Sequence, residues 1–176
     1  MLLWSLLLIL FLWCVASFGQ IKPALAANPS HVLQLQSTHL CARCDLSHAS
    51  LVLANFAGGN LLAANAEGAN LTGVNLSRMI MSRIDLRHGT LTNTDLSGAK
   101  MILADLSYAK LRRSDLSSAN LESAILKGAV LERVKLDSAN LYMANLSDAR
   151  LINTDLQSAH LCQTILPDRS ISNRDC

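Results

Sequence analysis

Every fifth residue from Leu46 to Leu166 is apolar without a break in phase: the 25 positions hold 21 Leu, with Phe56, Met81, Met101 and Ala66. Two residues before each lies a second series, Cys44, Ala49, Ala54, Gly59 and onward to Thr164, in which 14 of 25 are Ala and most others are small. Asp or Asn fills 14 of the 25 places between the two series, as in Ala104-Asp105-Leu106 and Ala144-Asn145-Leu146. A repeat this strict governs the fold before any local propensity does.

A period of five fits neither regular element. On an α-helix each step of five advances about 140°, so the leucines would spiral around the surface and make no buried stripe. In a continuous strand alternate leucines would point to opposite faces. The spacing of two and then three fits a solenoid: small residue in, polar residue out, Leu in, then two outward residues that turn a corner. Each coil exposes backbone groups above and below, so coils must pair with one another at about 4.8 Å and none is stable alone. Composition agrees. Leu (35) and Ala (22) dominate the 176 residues, whereas aromatics number seven, and four of those (Trp4, Phe11, Trp13, Phe18) fall in the first 18 residues. A narrow axis filled by one Leu and one small residue per unit has little room for rings.

Runs such as Ala69-Asn70-Leu71-Thr72-Gly73 and Thr94-Asp95-Leu96-Ser97-Gly98 resemble the pentapeptide-repeat family, whose motif is small, Asp or Asn, Leu or Phe, Ser or Thr, Gly. The resemblance runs from Cys44 to Asp168. It implies an all-β fold, a right-handed, four-sided parallel β-helix of about six coils, roughly 30 Å tall at the spacing between coils. The fifth position departs from the family pattern, since Arg, His, Leu, Met and Ser often replace Gly, and corners less like the ideal turn are expected there. With four units per coil, residues 20 apart stack. Ala66 is then too small for its layer, and Ile84, one coil above Ala64 on the same wall, is expected to fill the space it leaves.

The chain divides as 1–26, 27–43, 44–168 and 169–176. Leu2 to Phe18 is apolar apart from Ser5 and Ser17, and Ala24 and Ala26 supply small residues at the third and first positions before a cut. Residues 1–26 therefore read as a secretory signal cleaved after Ala26, taking Cys14 with it; the alternative is an uncleaved membrane anchor. Asn28-Pro29-Ser30 reads as the start of a short N-terminal capping helix, with Val32, Leu33 and Leu35 facing the first coil. The tail after Asp168 is too polar for a second core and is expected to fold over the last coil or to be disordered.

Cys41, Cys44, Cys162 and Cys176 remain after the cut. An even count in an exported chain favours disulfides over zinc. Cys41-Ala42-Arg43-Cys44-Asp45-Leu46-Ser47 resembles the N-terminal border of exported family members of cyanobacteria and plastids, which implies a staple between cap and first coil and a thylakoid-lumen or periplasmic location. The other reading is a thiol-redox pair. Cys162 and Cys176 can close a 15-residue loop, worth about 3 kcal/mol in the chain-entropy model.

No catalytic constellation, cofactor motif or metal-ligand cluster is expected. Asp85 beside Asp105 and Asp95 beside Asp115 invite the question of a hard cation or an acid–base pair. Asp and Asn at this place are the motif itself, however, and satisfy turn amides. His48 and His88 share a corner two coils apart, too far for one metal ion. Formal charge is +2, and neither nucleic acid nor acidic mimicry of DNA, which the resemblance offers as a topoisomerase-inhibitor alternative, suits that charge. Lys110, Arg112, Arg113 and Arg133 cluster on one wall, with Glu132 stacked on Arg112. On the next wall but one, Ile80, Ile102, Leu103, Tyr142 and Met143 point outward, and Tyr108 is a further exposed ring. The expected role is a non-enzymatic exported scaffold for an unidentified protein partner, with membrane-surface contact as a second possibility.

Overall fold

The computed structural model describes residues 27–176, so the expected signal segment 1–26 lies outside the described residues. Parallel bridges join residues 20 apart through almost the whole repeat: Asp45 to Asn65, Asn65 to Asp85, Asp85 to Asp105, Asp105 to Ile125 and Ile125 to Asn145 form one such column. Four pentapeptides therefore make one coil, and the chain is a four-walled, right-handed β-helix. We number the walls by their central residues: Leu46 and Ala66 begin the first, Leu51 and Leu71 the second, Phe56 and Leu76 the third, Leu61 and Met81 the fourth.

One unit shows why the motif reads as it does. The Leu86 N–H donates to the Asp105 carbonyl (2.7 Å) and the His88 N–H to the Ser107 carbonyl (3.0 Å), both in the coil above. The Asp85 N–H donates to the Ala64 carbonyl in the coil below (3.0 Å), and the Gly89 N–H closes the corner on the Leu86 carbonyl (3.0 Å). Only the Arg87 N–H lacks a backbone acceptor, and Asp85 Oδ1 accepts from it at 3.1 Å. A buried or half-buried amide left unpaired is costly, so the Asp or Asn of the motif completes the accounting for all five amides. The same side-chain capture recurs at Asn65, Asn75, Asp95 and Asn145.

Corners place the second outward residue at positive φ. Glycine suits that region, yet most corners use other residues, for example His48 (57°), Leu53 (59°), Tyr108 (60°) and Met143 (55°), beside Gly58 (69°) and Gly128 (65°). From Arg43 to Asn153 the corners are thus alike, which corrects for that stretch the expectation that non-glycine units would turn differently; the Ser158 corner does lack the positive φ. Inter-coil bonds on both sides hold the backbone in one geometry, at a cost of about 1 kcal/mol for each L-residue forced into it.

Secondary structure is sparse because each wall is only three residues wide. On the second wall, where Lys110, Val130 and Arg150 replace Asp or Asn, the chain extends into strands β1 (Lys110–Arg112), β2 (Val130–Glu132) and β3 (Arg150–Ile152), parallel and 20 residues out of step. The axis is packed with leucines and alanines from Leu46 to Leu146, nearly all with no exposed surface. Ala66 is 2% and Ile84 1% exposed, so Ile84 turns into the core on the wall where Ala66 is small. Buried hydroxyls of the small series are paired too: Thr94 donates to the Leu71 carbonyl (2.8 Å) and Thr164 to that of Leu141 (2.7 Å).

Helix α1 (Pro29–Thr38) lies across the first coil. Asn28 caps it, accepting from the Ser30 N–H at 3.0 Å, and Pro29 takes the first helical position. The Asp45 N–H donates to His31 Nδ1 (2.9 Å) and the Asn28 N–H to the Asp45 carbonyl (3.2 Å), which ties helix to coil. Leu35 is fully buried and Val32 packs against the same core, but Leu33 is 66% exposed. The expectation for Leu33 is corrected by helical geometry: Val32 and Leu35 share a face at a spacing of three, and Leu33 leaves it.

At the other end the sequence keeps phase while the backbone does not. The Ser138 N–H donates to the Ser158 carbonyl, one residue later than the equivalent bond from Ser118 to Asp137. Thr154 Oγ1 accepts from the Val134 N–H (3.1 Å) and donates to the Leu131 carbonyl (2.9 Å) at this slip. Leu151 and Leu156 are only half-buried there. The tail folds back as an antiparallel pair, β4 (Thr164–Ile165) with β5 (Ile171–Ser172). Arg169 pairs with Asp148 (3.0 Å), and Arg174 reaches the Leu156 and Ala159 carbonyls.

Candidate interaction surface

The two outward residues of each corner and the central polar residue of each wall form vertical columns that no core requirement constrains. On the first wall the acidic column is not a vacant carboxylate pair. Arg87 Nη2 lies 2.7 Å from Asp85 Oδ2 and 3.2 Å from Glu67 Oε2, and its Nε is 4.0 Å from Asp105 Oδ2. Burial pushes the Asp85 carboxyl up, but the hydrogen bonds and charge of Arg87 outweigh it and hold the group below the usual carboxylate range. The same carboxylates push the Arg87 guanidinium further up.

On the third wall Lys135 Nζ reaches Asp115 Oδ2 at 3.2 Å. Burial raises the Asp115 carboxyl, and hydrogen bonds from Ser117 together with Lys135 bring it below its ordinary value. Both Asp columns thus spend their charge on neighbouring cations and turn amides. Among the described residues no three His, Cys, Asp or Glu side chains gather around a possible metal position.

The histidines are placed by packing. His39 is the left-handed C-cap of α1 and meets Phe56 edge-on at 5.7 Å. The His48 ring lies over Gly68, at a place a Cβ would occupy. His88 stacks on Tyr108 with ring centroids 5.4 Å apart and planes within 7°. Tyr108, 51% exposed, in turn lies over Gly128. Glycine at Gly68 and Gly128 leaves room for the His48 and Tyr108 rings to lie flat, and between them His88 and Tyr108 stack on each other.

The second wall carries the cations. Lys110, Arg112, Arg113 and Arg133 are exposed, and Arg150 joins them in the column of Lys110. Arg112 Nε is 3.1 Å from Glu132 Oε2, whereas Lys110, Arg113, Arg133 and Arg150 have no ion-pair partner among the described residues. The fourth wall, two units and therefore half a coil away, carries apolar groups: Leu103 (50% exposed), Met143 (49%), Ile80 (38%) and half-buried Ile102 and Tyr142. Leu40 and Leu62 extend this patch toward α1. Residues Arg150, Leu40 and Leu62, and the Arg87 cluster, are legible only when the sequence is written in rows of 20, since stacking and not adjacency brings them together.

Cys41 and Cys44 are joined, with Cα atoms 5.3 Å apart, at the entry to the first coil, and both are buried. Cys162 and Cys176 are joined with Cα atoms 4.9 Å apart and hold the tail to the last coil. An open recess of 390 Å³ beside this second pair is lined by Asn140, Tyr142, His160 and Asp175. Among the described residues no helix is long and apolar enough to cross a membrane.

The family model for pentapeptide repeats matches in 8 copies over residues 41–78, 80–117, 114–151 and 144–168. The chain belongs to the pentapeptide-repeat family. No curated protein matches it. Among solved structures it is similar to Rfr23, a pentapeptide repeat protein from the cyanobacterium Cyanothece 51142, at 28% identity over 74% of this chain and 96% of that one, with a TM-score of 0.59. HetL, a pentapeptide repeat protein involved in heterocyst differentiation regulation from the cyanobacterium Nostoc sp. strain PCC 7120, is 34% identical over 76% of this chain and 66% of that one, with a TM-score of 0.46. A pentapeptide repeat protein from the Arabidopsis thaliana thylakoid lumen is 27% identical over 61% of this chain and 71% of that one, with a TM-score of 0.34.

Proposed function

We propose that this protein is a non-enzymatic scaffold that presents rigid walls to a protein partner in an exported compartment, the thylakoid lumen or periplasm. The observation that carries the reading is the fourth wall, where Leu103, Met143, Ile80 and Tyr142 stand out from a backbone locked by inter-coil hydrogen bonds. Side chains on such a frame lose little conformational entropy on binding, and Met and Tyr are enriched at protein interfaces.

Residues 1–26 would be the export signal, 27–43 the N-terminal cap, 44–168 the β-helix of about six coils and 169–176 a closing tail. Export is supported by the apolar run ending in Ala24 and Ala26 and by the even set of cysteines that follows. Burial of Cys41 and Cys44 (0% and 4% exposed) favours a structural disulfide over a thiol-exchange pair, which needs an accessible sulfur.

Crosslinking the mature domain in extracts of its compartment tests the reading. A discrete protein adduct is expected with the wild type and is lost in Leu103→Asp and Tyr142→Asp variants that melt at the wild-type temperature. The same adducts from both variants would refute the fourth wall as the contact.

A further inference from the structure

We propose that the second wall is a docking face for an anionic lipid surface, so that the rod lies on a membrane with the exposed Leu103 and Met143 of its fourth wall turned away from it. This goes beyond the scaffold reading and does not depend on it.

Three observations carry the assignment. First, Lys110, Arg113, Arg133 and Arg150 stand on one wall without ion-pair partners among the described residues, and Glu132 is occupied by Arg112. Arg113 and Arg133 occupy the same corner in successive coils, about 4.8 Å apart along the axis. Like charges stacked so closely with no acid between them are relieved by an external anion.

Second, this wall is where the chain forms its three-stranded parallel sheet, β1-β2-β3, whose register lines Lys110 up with Val130 and Arg150. The other outward side chains of these strands are half-buried Val130 and Ile152. Protein interfaces are depleted of charge at their centres and anchored by aromatic residues in pockets. A cation-dense wall with no aromatic residue among β1, β2 and β3 lacks those anchors. Headgroup attraction needs none, because it sums over charges and demands no register.

Third, the opposite wall differs in kind. Half a coil away, the fourth wall gathers the exposed apolar residues Leu103, Met143 and Ile80, with the exposed cations Arg83 and Lys100 among them, whereas the second wall stacks its cations in neighbouring coils.

Co-sedimentation of the mature domain with phosphatidylcholine vesicles, with and without phosphatidylglycerol, tests the proposal. Arg113 and Arg133 have φ of 55° and 53°, so Arg113→Gly/Arg133→Gly removes two charges at corners that glycine suits. Arg78→Gly/Arg83→Gly is the matched control, with φ of 56° and 59° on corners of the third and fourth walls. The wild type should bind only the vesicles containing phosphatidylglycerol and should be released as salt rises well above about 0.1 M. The second-wall variant should bind about 25-fold more weakly, at roughly fivefold per charge, while the control stays within about twofold of the wild type. Equal weakening by the two variants would reduce the effect to net charge and overturn the proposal. So would the absence of wild-type binding at low salt, or binding to poly-glutamate without binding to vesicles, which would assign the wall to an acidic protein. None of these outcomes bears on the fourth wall, whose adducts test the scaffold reading separately.

Discussion

Gly58 and Gly59 are neighbours with different reasons to be glycine. Gly58 sits at φ 69° with nothing near where a Cβ would be, so Gly58→Ala isolates the backbone cost, and a loss of about 1 kcal/mol in denaturant unfolding is expected. At Gly59 a Cβ would collide with the His39 carbonyl and crowd the Met79 side chain, so Gly59→Ala should cost more and loosen α1 from the first coil. Met79 and Gly59 are a large and a small residue one coil apart, as are Ile84 and Ala64. Ile84→Ala, which truncates a buried side chain on the wall of Ala66, should lose roughly 2 to 5 kcal/mol. The leucine series and the place of Ile84 are legible in the sequence because one side chain per unit decides them. The role of each Asp or Asn is less so, since it appears only when every amide of a unit is followed to its acceptor.

The elements at the two ends carry what the repeat cannot supply. Helix α1 covers an open coil end, which otherwise exposes apolar cross-section and unpaired edge groups. Leu35→Ala should cost roughly 2 to 5 kcal/mol, and Leu33→Ala should be close to neutral, in the same unfolding measurement. The helix start at Asn28-Pro29 is legible from capping chemistry. Which apolar residue turns inward follows only from where the helix sits. The chain slip near Thr154 is invisible in a sequence whose phase never breaks; it depends on how the tail and the Thr154 hydroxyl replace backbone partners. Cys176→Ser removes the link that holds the tail. It should lower stability by about 3 kcal/mol in the chain-entropy model and increase proteolysis after Arg169 or Arg174.

For the whole molecule, the carboxylates set the acid limit. Asp168 is held low by the Ser170 hydroxyl and N–H, and Asp175 by Arg174 and the Leu161 N–H. Asp85 and Asp115 are held low against the upward push of burial. Each folded-state value lies below the unfolded one, so their stabilisation is fully present above the ordinary carboxylate range and is lost as pH falls through the folded values. The melting temperature should be level from neutral to mildly acidic pH and fall below about pH 4.

The central claim is that different walls of one rigid rod do different work. Photo-crosslinkers placed singly at Leu103 on the fourth wall and at Ser117 on a third-wall corner, in extracts of the protein's compartment, test it most directly. A discrete adduct from Leu103 and none from Ser117 is the predicted result; adducts of equal yield from both walls would contradict it.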